Sequence, residues 1–417
     1  MIGRQTPATS RRTNEHVELA ETFGAHNYHP LPVVIEKGQG VWVWDVEGKK
    51  YMDCLSAYSA VNQGHCHPRL VATVKQQAER LTLTSRAFHN DQTGPFFQEL
   101  AELCNMEMVL PMNSGAEAVE TAIKTSRKWG YLKKGVEADQ AEIIAFENNF
   151  HGRTTTIVGF STDAQYREGF GPFTPGFRTV PYGDMEAVKK AVNKNTVGIL
   201  VEPIQGEAGV VVPPEGFLGS LRNLCTDENV LLLADEIQTG LGRTGRLFAC
   251  QHESVVPDVY IIGKALGGGF YPVSAVVSSK DVLEVFRPGD HGSTFGGNPL
   301  ACALAREALR ILLDEKLVER AHDMGEYFMG GIRDIGSPLV HEVRGKGLLI
   351  GVELEPESGP ARGYCELLME RGMLCKETHE SVIRFAPPLV IERKEIDWAL
   401  DQIREVLATA VPPERRD

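Results

Sequence analysis

Short apolar runs rich in β-branched residues alternate with amphipathic stretches through the middle of the chain. Glu142–Phe146, Val197–Val201, Val230–Ala234, Val259–Ile262 and Ser274–Val277 have the length and residue types of strands. Between them, apolar positions recur every three to four residues over Ala116–Trp129, Met185–Val192, Leu218–Asp227 and about Pro299 to Glu315, the spacing of helices with one buried face. Strands alternating with helices predict an α/β fold, a large mixed or mostly parallel sheet flanked by helices. Nearer the N-terminus, Val41–Trp44 and Lys50–Leu55 flank the turn residues Asp45-Val46-Glu47-Gly48, a hairpin signal. Beyond about residue 320 the order becomes helix, strands (Leu339–Val343, Leu348–Val352), helix, strand (Val382–Ala386), helix, which predicts a smaller α+β unit. The expected division is therefore a segment 1–60 with a disordered tail and the hairpin, a large sheet domain over 61–318, and a small domain over 319–417. The N-terminal segment is expected to join the small domain.

Composition narrows the class. Of the 417 residues, 42% are hydrophobic and 24% charged, too apolar for a disordered chain and long enough for a core without disulfide or metal staples. The 43 Lys+Arg against 56 Asp+Glu leave a net charge of −13, which argues against nucleic acid or an anionic membrane as partner. No apolar run approaches the ~20 residues of a membrane span. Eight cysteines are scattered without a CxxC pair, as reduced thiols of an intracellular, cytoplasmic protein would be. His65-Cys66-His67 is consecutive, and three adjacent side chains do not converge on one ion, so it is read as a turn and no metal is expected. The first fourteen residues carry Arg4, Arg11 and Arg12 and no acid; they read as a disordered tail, with a mitochondrial matrix location as the alternative had a transit peptide been removed.

The chemistry concentrates at strand ends, where open α/β sheets bind ligands. Glu202, Asp235 and Lys264 each follow an apolar strand candidate. Gly240-Leu241-Gly242-Arg243-Thr244-Gly245 spells GxGxxG, but a polar segment precedes it and no clear helix follows, so the dinucleotide reading is set aside. An NTPase reading fails because no Gly-Lys is followed by Ser or Thr. Asn113-Ser114-Gly115-Ala116, opening the helix Ala116–Trp129, is either an ordinary N-cap or an anion site built from backbone N–H groups. Gly292-Ser293-Thr294 before the helix at Pro299 is a second such loop. A phosphate cradle, a strand-end Asp and a strand-end Lys together suit pyridoxal 5′-phosphate: a carboxylate for its ring nitrogen and an amine for its aldehyde.

The run ending in Asp235-Glu236-Ile237-Gln238-Thr239-Gly240, followed by Gly263-Lys264-Ala265-Leu266-Gly267, resembles the signature of class III (ω-amino acid) aminotransferases. Phe150-His151-Gly152-Arg153-Thr154, Glu202-Pro203-Ile204-Gln205-Gly206-Glu207 and Gly292-Ser293-Thr294-Phe295-Gly296-Gly297 fit the same group, and the likeness runs from about residue 25 to the C-terminal strands. The resemblance implies the pyridoxal-phosphate-dependent transferase fold type I. It assigns Lys264 and Asp235 as catalytic residues, Gln238 beside the ring hydroxyl, Phe150 on the ring, and Ser114, Gly115 and Ala116 at the phosphate. It also implies a homodimer in which Ser293 and Thr294 reach the neighbouring subunit's phosphate.

Within the class, the segments Ala25–Val33 and Ala57–Pro68 are similar to those of ornithine δ-aminotransferases as a group. That likeness implies L-ornithine and 2-oxoglutarate as substrates, with Tyr28, Tyr58, Arg153, Glu202, Glu207 and Arg384 around them. Arg153 would hold the ornithine α-carboxylate, and Glu207 would pair with Arg384 until 2-oxoglutarate binds. Tyr58 stands where 4-aminobutyrate enzymes carry an aliphatic residue. His151 stands where many ornithine enzymes carry Trp and matches the acetylornithine group, so N-acetylornithine or 4-aminobutyrate are the alternative amino donors. A non-catalytic cofactor-binding homologue is the alternative outside the enzymes.

Overall fold

Seven strands form the sheet that organises the molecule; the computed structural model describes residues 11–409. Their order is Met108–Met112, Ser274–Ser278, Val259–Ile262, Leu231–Asp235, Thr196–Val201, Glu142–Phe146 and Phe177–Val180. Ser274–Ser278 is antiparallel to both its neighbours, and every other pair is parallel. The carboxyl ends of Glu142–Phe146, Thr196–Val201, Leu231–Asp235 and Val259–Ile262 therefore emerge along one edge, where the strand-end ionisable residues collect.

The central strands are buried along their whole length, which is why they read as continuous apolar runs. Side chains alternate between two cores. Ile143, Leu231 and Leu233 face one that includes Ala118 and Ile123 of the helix Gly115–Trp129. Ile144, Leu232 and Ala234 face the other, with Phe217 and Leu221 of the helix Phe217–Asp227. The edge strands Met108–Met112 and Phe177–Val180 escape the hydrophobic pattern, because one contains Pro111 and the other is largely solvent-facing.

Two smaller four-stranded sheets flank this layer. One orders Val340–Lys346, Leu349–Leu354, Val382–Phe385 and Lys376–Thr378, all antiparallel. The other builds on the N-terminal strands Ile35–Gln39, Trp42–Asp45 and Lys50–Asp53, and it is completed by Met373–Leu374, which pairs in parallel with the last of them. Trp42 also donates to Glu395 at 2.8 Å and meets Trp398 edge-on at 5.2 Å, so the hairpin is fastened to the C-terminal helix Arg393–Thr409.

One expectation fails. Residues 11–14, read as part of a disordered tail, begin the helix Arg11–Phe23, fastened by Arg12 donating to the Val46 carbonyl at 2.7 Å. That anchor joins residues 34 apart in sequence, which local polarity cannot reveal. The rest of the tail, residues 1–10, lies outside the described residues.

Close backbone packing joins the helix Leu317–Asp334 to the turn between Val340–Lys346 and Leu349–Leu354. A Cβ at Gly325 would lie 2.1 Å from the Gly347 carbonyl oxygen, whereas one at Gly330 of the same helix would meet nothing within 4 Å. Gly325→Ala is expected to lose about 1–3 kcal/mol or more of stability from the forced displacement of backbone. Gly330→Ala should gain about 0.5–1 kcal/mol by restricting the unfolded chain. Thermal or denaturant unfolding of the two variants checks the opposite signs.

Candidate active site

Lys264 follows the strand Val259–Ile262 after Gly263 and takes a left-handed backbone angle, φ +44°. Non-glycine residues in that region are strained, and such strain concentrates at functional sites. The Lys264 side chain lines a cavity of about 190 Å³ together with Asp235, Phe150, Gln238, Gly115 and Ala116. Burial pushes its ammonium below the ordinary lysine range, and the carboxylates of Glu207 and Asp235 only partly oppose this. A lysine whose ammonium form is disfavoured yields its neutral amine, a nucleophile and a base, more readily.

Asp235 ends the neighbouring strand. Its Oδ1 accepts from the Ile237 N–H at 3.1 Å, and its Oδ2 lies 2.6 Å from His151 Nδ1. Burial disfavours a charged imidazole, yet the Asp235 hydrogen bond and charge outweigh it and raise the His151 pKa. The other ring nitrogen, Nε2, is buried with no hydrogen-bond partner among the described residues. Glu202 lines the same cavity, where its Oε2 accepts the Phe150 N–H at 3.0 Å. Burial first, with the Asp235 charge adding and the His151 charge opposing, pushes its carboxyl up to about 8.

The helix Gly115–Trp129 aims its N-terminus at the cavity. Ser114 caps it, accepting from Glu117 N at 3.2 Å, while the Glu117 carboxylate takes the N–H groups of Asn113 and Ser114. The N–H groups of Gly115 and Ala116 are left for an anion, because the first turn of a helix offers them no carbonyl.

Across the cavity, the strand Val382–Phe385 of the small antiparallel sheet presents Arg384, 1% exposed. Its Nη1 donates to Glu207 Oε1 at 2.6 Å, while Nε and Nη2 are buried without partners. Burial would raise the Glu207 pKa, but the Arg384 charge and hydrogen bond hold it below the usual carboxylate range. Gln238 donates to the same Glu207 oxygen at 3.0 Å. Tyr58 covers the guanidinium with its ring centre 5.1 Å away. Tyr58 belongs to a left-handed turn in which Ser56, Ala57, Tyr58 and Ser59 all have φ between +48° and +72°. Asp53 starts that turn by accepting the N–H groups of Leu55 and Ser56.

Arg153 is exposed, and no acid among the described residues pairs with it. It lies instead over the Tyr166 ring at 4.0 Å and near Phe150 at 5.9 Å. Tyr28 is 71% exposed at the rim, near enough to act electrostatically on Tyr58 and Tyr166. Ser293 and Thr294 do not join the Lys264 cavity: they line an open groove of about 580 Å³ with Leu83–Arg86, and Ser293 Oγ accepts from Asn113 at 2.8 Å. Sequence reasoning placed His151 only through its resemblance to the acetylornithine group and did not single out Tyr166. The strand-end position of Asp235 was the available signal for the first, and the Phe150–Arg153 motif nearby points toward the second.

A family model described as aminotransferase class-III matches residues 23–407. The chain is 59% identical over 397 residues to an ornithine aminotransferase of Geobacillus sp. (strain WCH70), covering 95% of this chain and 99% of that one. Among solved structures, the ornithine aminotransferase of Toxoplasma gondii, in a structure with partial occupancy of PLP at its active site, superposes with a TM-score of 0.94. It shares 46% identity over 95% of this chain and 94% of its own. The acetylornithine aminotransferase of Elizabethkingia anophelis superposes at 0.87 with 48% identity, covering 95% and 99% of the two chains.

Glu202 makes a stability prediction. Its folded value of about 8 stands above the ordinary 4.5, so between these limits the folded protein keeps a proton that the unfolded chain has released. That contribution is complete below the ordinary value, declines as pH rises, and is gone above the folded value. Glu202→Gln holds no titratable proton, so its stability relative to the unsubstituted protein should rise from about pH 5 to about pH 8. Denaturant unfolding across that range reads the difference, and a pH-independent difference would refute the buried proton.

Proposed function

The chain belongs to the class-III aminotransferases, and from the cavity we infer that it moves the δ-amino group of L-ornithine to 2-oxoglutarate, with pyridoxal 5′-phosphate as cofactor. The residues present fit that cofactor. The Gly115 and Ala116 N–H groups suit its phosphate, the Phe150 ring its flat face, and the buried Lys264 amine its aldehyde. Asp235, already bonded to His151, offers a carboxylate to the ring nitrogen, and Gln238 an amide to the ring hydroxyl. When bound, the cofactor supplies the carbon that carries the amino group and a ring that accepts the electrons of the substrate carbanion. Lys264, a buried amine with a lowered pKa, would hold and move the proton of the substrate Cδ at its Nζ.

The observation that carries the reading is the unequal state of two arginines. Ornithine has one carboxylate and two amines, whereas 2-oxoglutarate has two carboxylates. Arg153, free of any acid, suits the carboxylate remote from the reacting carbon in either substrate. Arg384, masked by Glu207 at 2.6 Å, attracts no carboxylate while ornithine is bound, so the α end of ornithine is not drawn to Lys264. When 2-oxoglutarate enters, Glu207 must turn aside, and the unpartnered Nε–Nη2 edge of Arg384 offers a fork for the α-carboxylate. Tyr58 over Arg384 and Tyr28 at the rim support ornithine over 4-aminobutyrate. Glu202 lines the cavity, in keeping with a place beside the substrate, and also holds the Phe150 backbone N–H.

N-acetylornithine is the second reading, favoured by His151 and by the 48% identity to an acetylornithine aminotransferase. We also propose a cytoplasmic homodimer in which Ser293 and Thr294 complete the partner's phosphate site. Their place in an open groove, near the exposed Phe88 and Phe295, supports this. No helix among the described residues is long and apolar enough to cross a membrane.

Side-by-side turnover of L-ornithine, N-acetylornithine and 4-aminobutyrate with 2-oxoglutarate tests the substrate, and preference for either of the last two overturns it. Lys264→Ala should lose at least about 10²–10⁴-fold in turnover while remaining folded by circular dichroism. Glu207→Gln unmasks Arg384, so kcat/KM should fall for ornithine and rise for glutamate, changing their ratio by roughly tenfold or more. An unchanged ratio would remove the masking role.

A further inference from the structure

We propose that Tyr166 is a positioning and specificity residue, the aromatic face that aims the Arg153 guanidinium at the substrate's remote carboxylate. The proposal rests on reading Arg153 as the carboxylate receptor. The guanidinium carbon of Arg153 lies 4.0 Å from the Tyr166 ring centre, and Tyr166 in turn meets Phe150 edge-on at 6.1 Å. A guanidinium held by its flat face keeps all its in-plane N–H donors for a bidentate carboxylate. A carboxylate partner would instead cancel its charge and take one of those donors, as Glu207 does at Nη1 of Arg384. An aromatic clamp is therefore the device that orders an exposed arginine without masking it.

Tyr166 is itself held firmly. It lies in the short turn Ala164–Arg167, which Asp163 caps by accepting the Gln165 N–H at 2.8 Å. Arg167 donates to the Ser161 carbonyl at 3.0 Å and covers Phe173 at 4.7 Å, while Thr162 Oγ1 accepts the Asn148 N–H at 2.7 Å. These contacts fix the segment on both sides of the ring, so the ring is a rigid platform and Arg153 the part it orders.

The test compares Tyr166→Phe, which keeps the π face, with Tyr166→Leu, which removes it, in the holoenzyme. The amino donors are L-ornithine and 1,4-diaminobutane, which has a similar chain and no carboxylate. Tyr166→Leu should lower the ornithine-to-diaminobutane ratio of kcat/KM by roughly fivefold to thirtyfold, mainly through the ornithine KM, with Tyr166→Phe retaining the ratio. Calorimetric affinity for L-norvaline, which has the carboxylate and lacks the terminal amine, should fall by a similar factor in the leucine variant only. If Tyr166→Leu does not yield folded holoenzyme, Tyr166→Gln carries the same expectation. An unchanged ratio and norvaline affinity in the variant lacking the ring overturns the proposal. Arg153→Gln separates the premise: if it too preserves the ratio, the carboxylate reading of Arg153 fails, and if it alone lowers the ratio, only the role of Tyr166 fails.

Discussion

A guanidinium out of water next to a single carboxylate, Arg384 to Glu207 at 2.6 Å, constrains much of the surrounding architecture. An arginine buried without such a partner would cost several kcal/mol, so Glu207 has to reach it from the other side of the cleft. Arg384 sits on the small antiparallel sheet, and Glu207 follows the large sheet's strand Thr196–Val201, so the pair spans the two. The loop carrying Glu207 must also pass close to Gln238. It does so through Gly206, where a Cβ would fall 1.7 Å from the Gln238 amide oxygen. On the open side, Tyr58 covers Arg384 from a turn of four left-handed residues, each of which costs roughly 1–2 kcal/mol in backbone strain. The surrounding packing has to offset that strain for the ring to stay where it is.

Arg153 and Arg384, the two arginines proposed to receive the substrates, are held by different physics, and the difference matches the tasks proposed for them. A carboxylate cancels charge and occupies donors, so an arginine held that way is unavailable until something moves. An aromatic face does neither, so Arg153 keeps its charge and its donor edge. Specificity for one end of a two-ended molecule needs both kinds of restraint: one receptor always ready and one conditional.

How much of this was legible beforehand depended on whether the signal was local. Glu142–Phe146 and Val259–Ile262 matched to the residue, because a strand buried on both faces writes itself as an apolar run. Lys264, Asp235, Gly115 and Ala116 were legible because strand ends and a helix start are chain positions, and the structure brings all four to one cavity. The strands Met108–Met112 and Phe177–Val180 were missed because an edge strand need bury only part of itself. Tyr166 and the His151–Asp235 pair were missed for another reason. Their meaning lies in a partner contacted through space, and 84 residues separate the members of that pair.

The protonation state of Lys264 follows from how the nearby acids are already engaged. Glu207 and Asp235, ahead of Glu202, are the carboxylates that act most on its ammonium, and either could stabilise the charged form. Each is committed elsewhere, Glu207 to Arg384 and Asp235 to His151, whose pKa the Asp235 hydrogen bond and charge raise. Glu202, the third acid of the cluster, keeps its proton up to about pH 8 and adds little negative charge below that. With the carboxylates engaged by other partners, desolvation prevails at the lysine and its pKa falls. The same pairings that let a set of charged groups lie in one interior thus leave the lysine ammonium less favoured than it is in water.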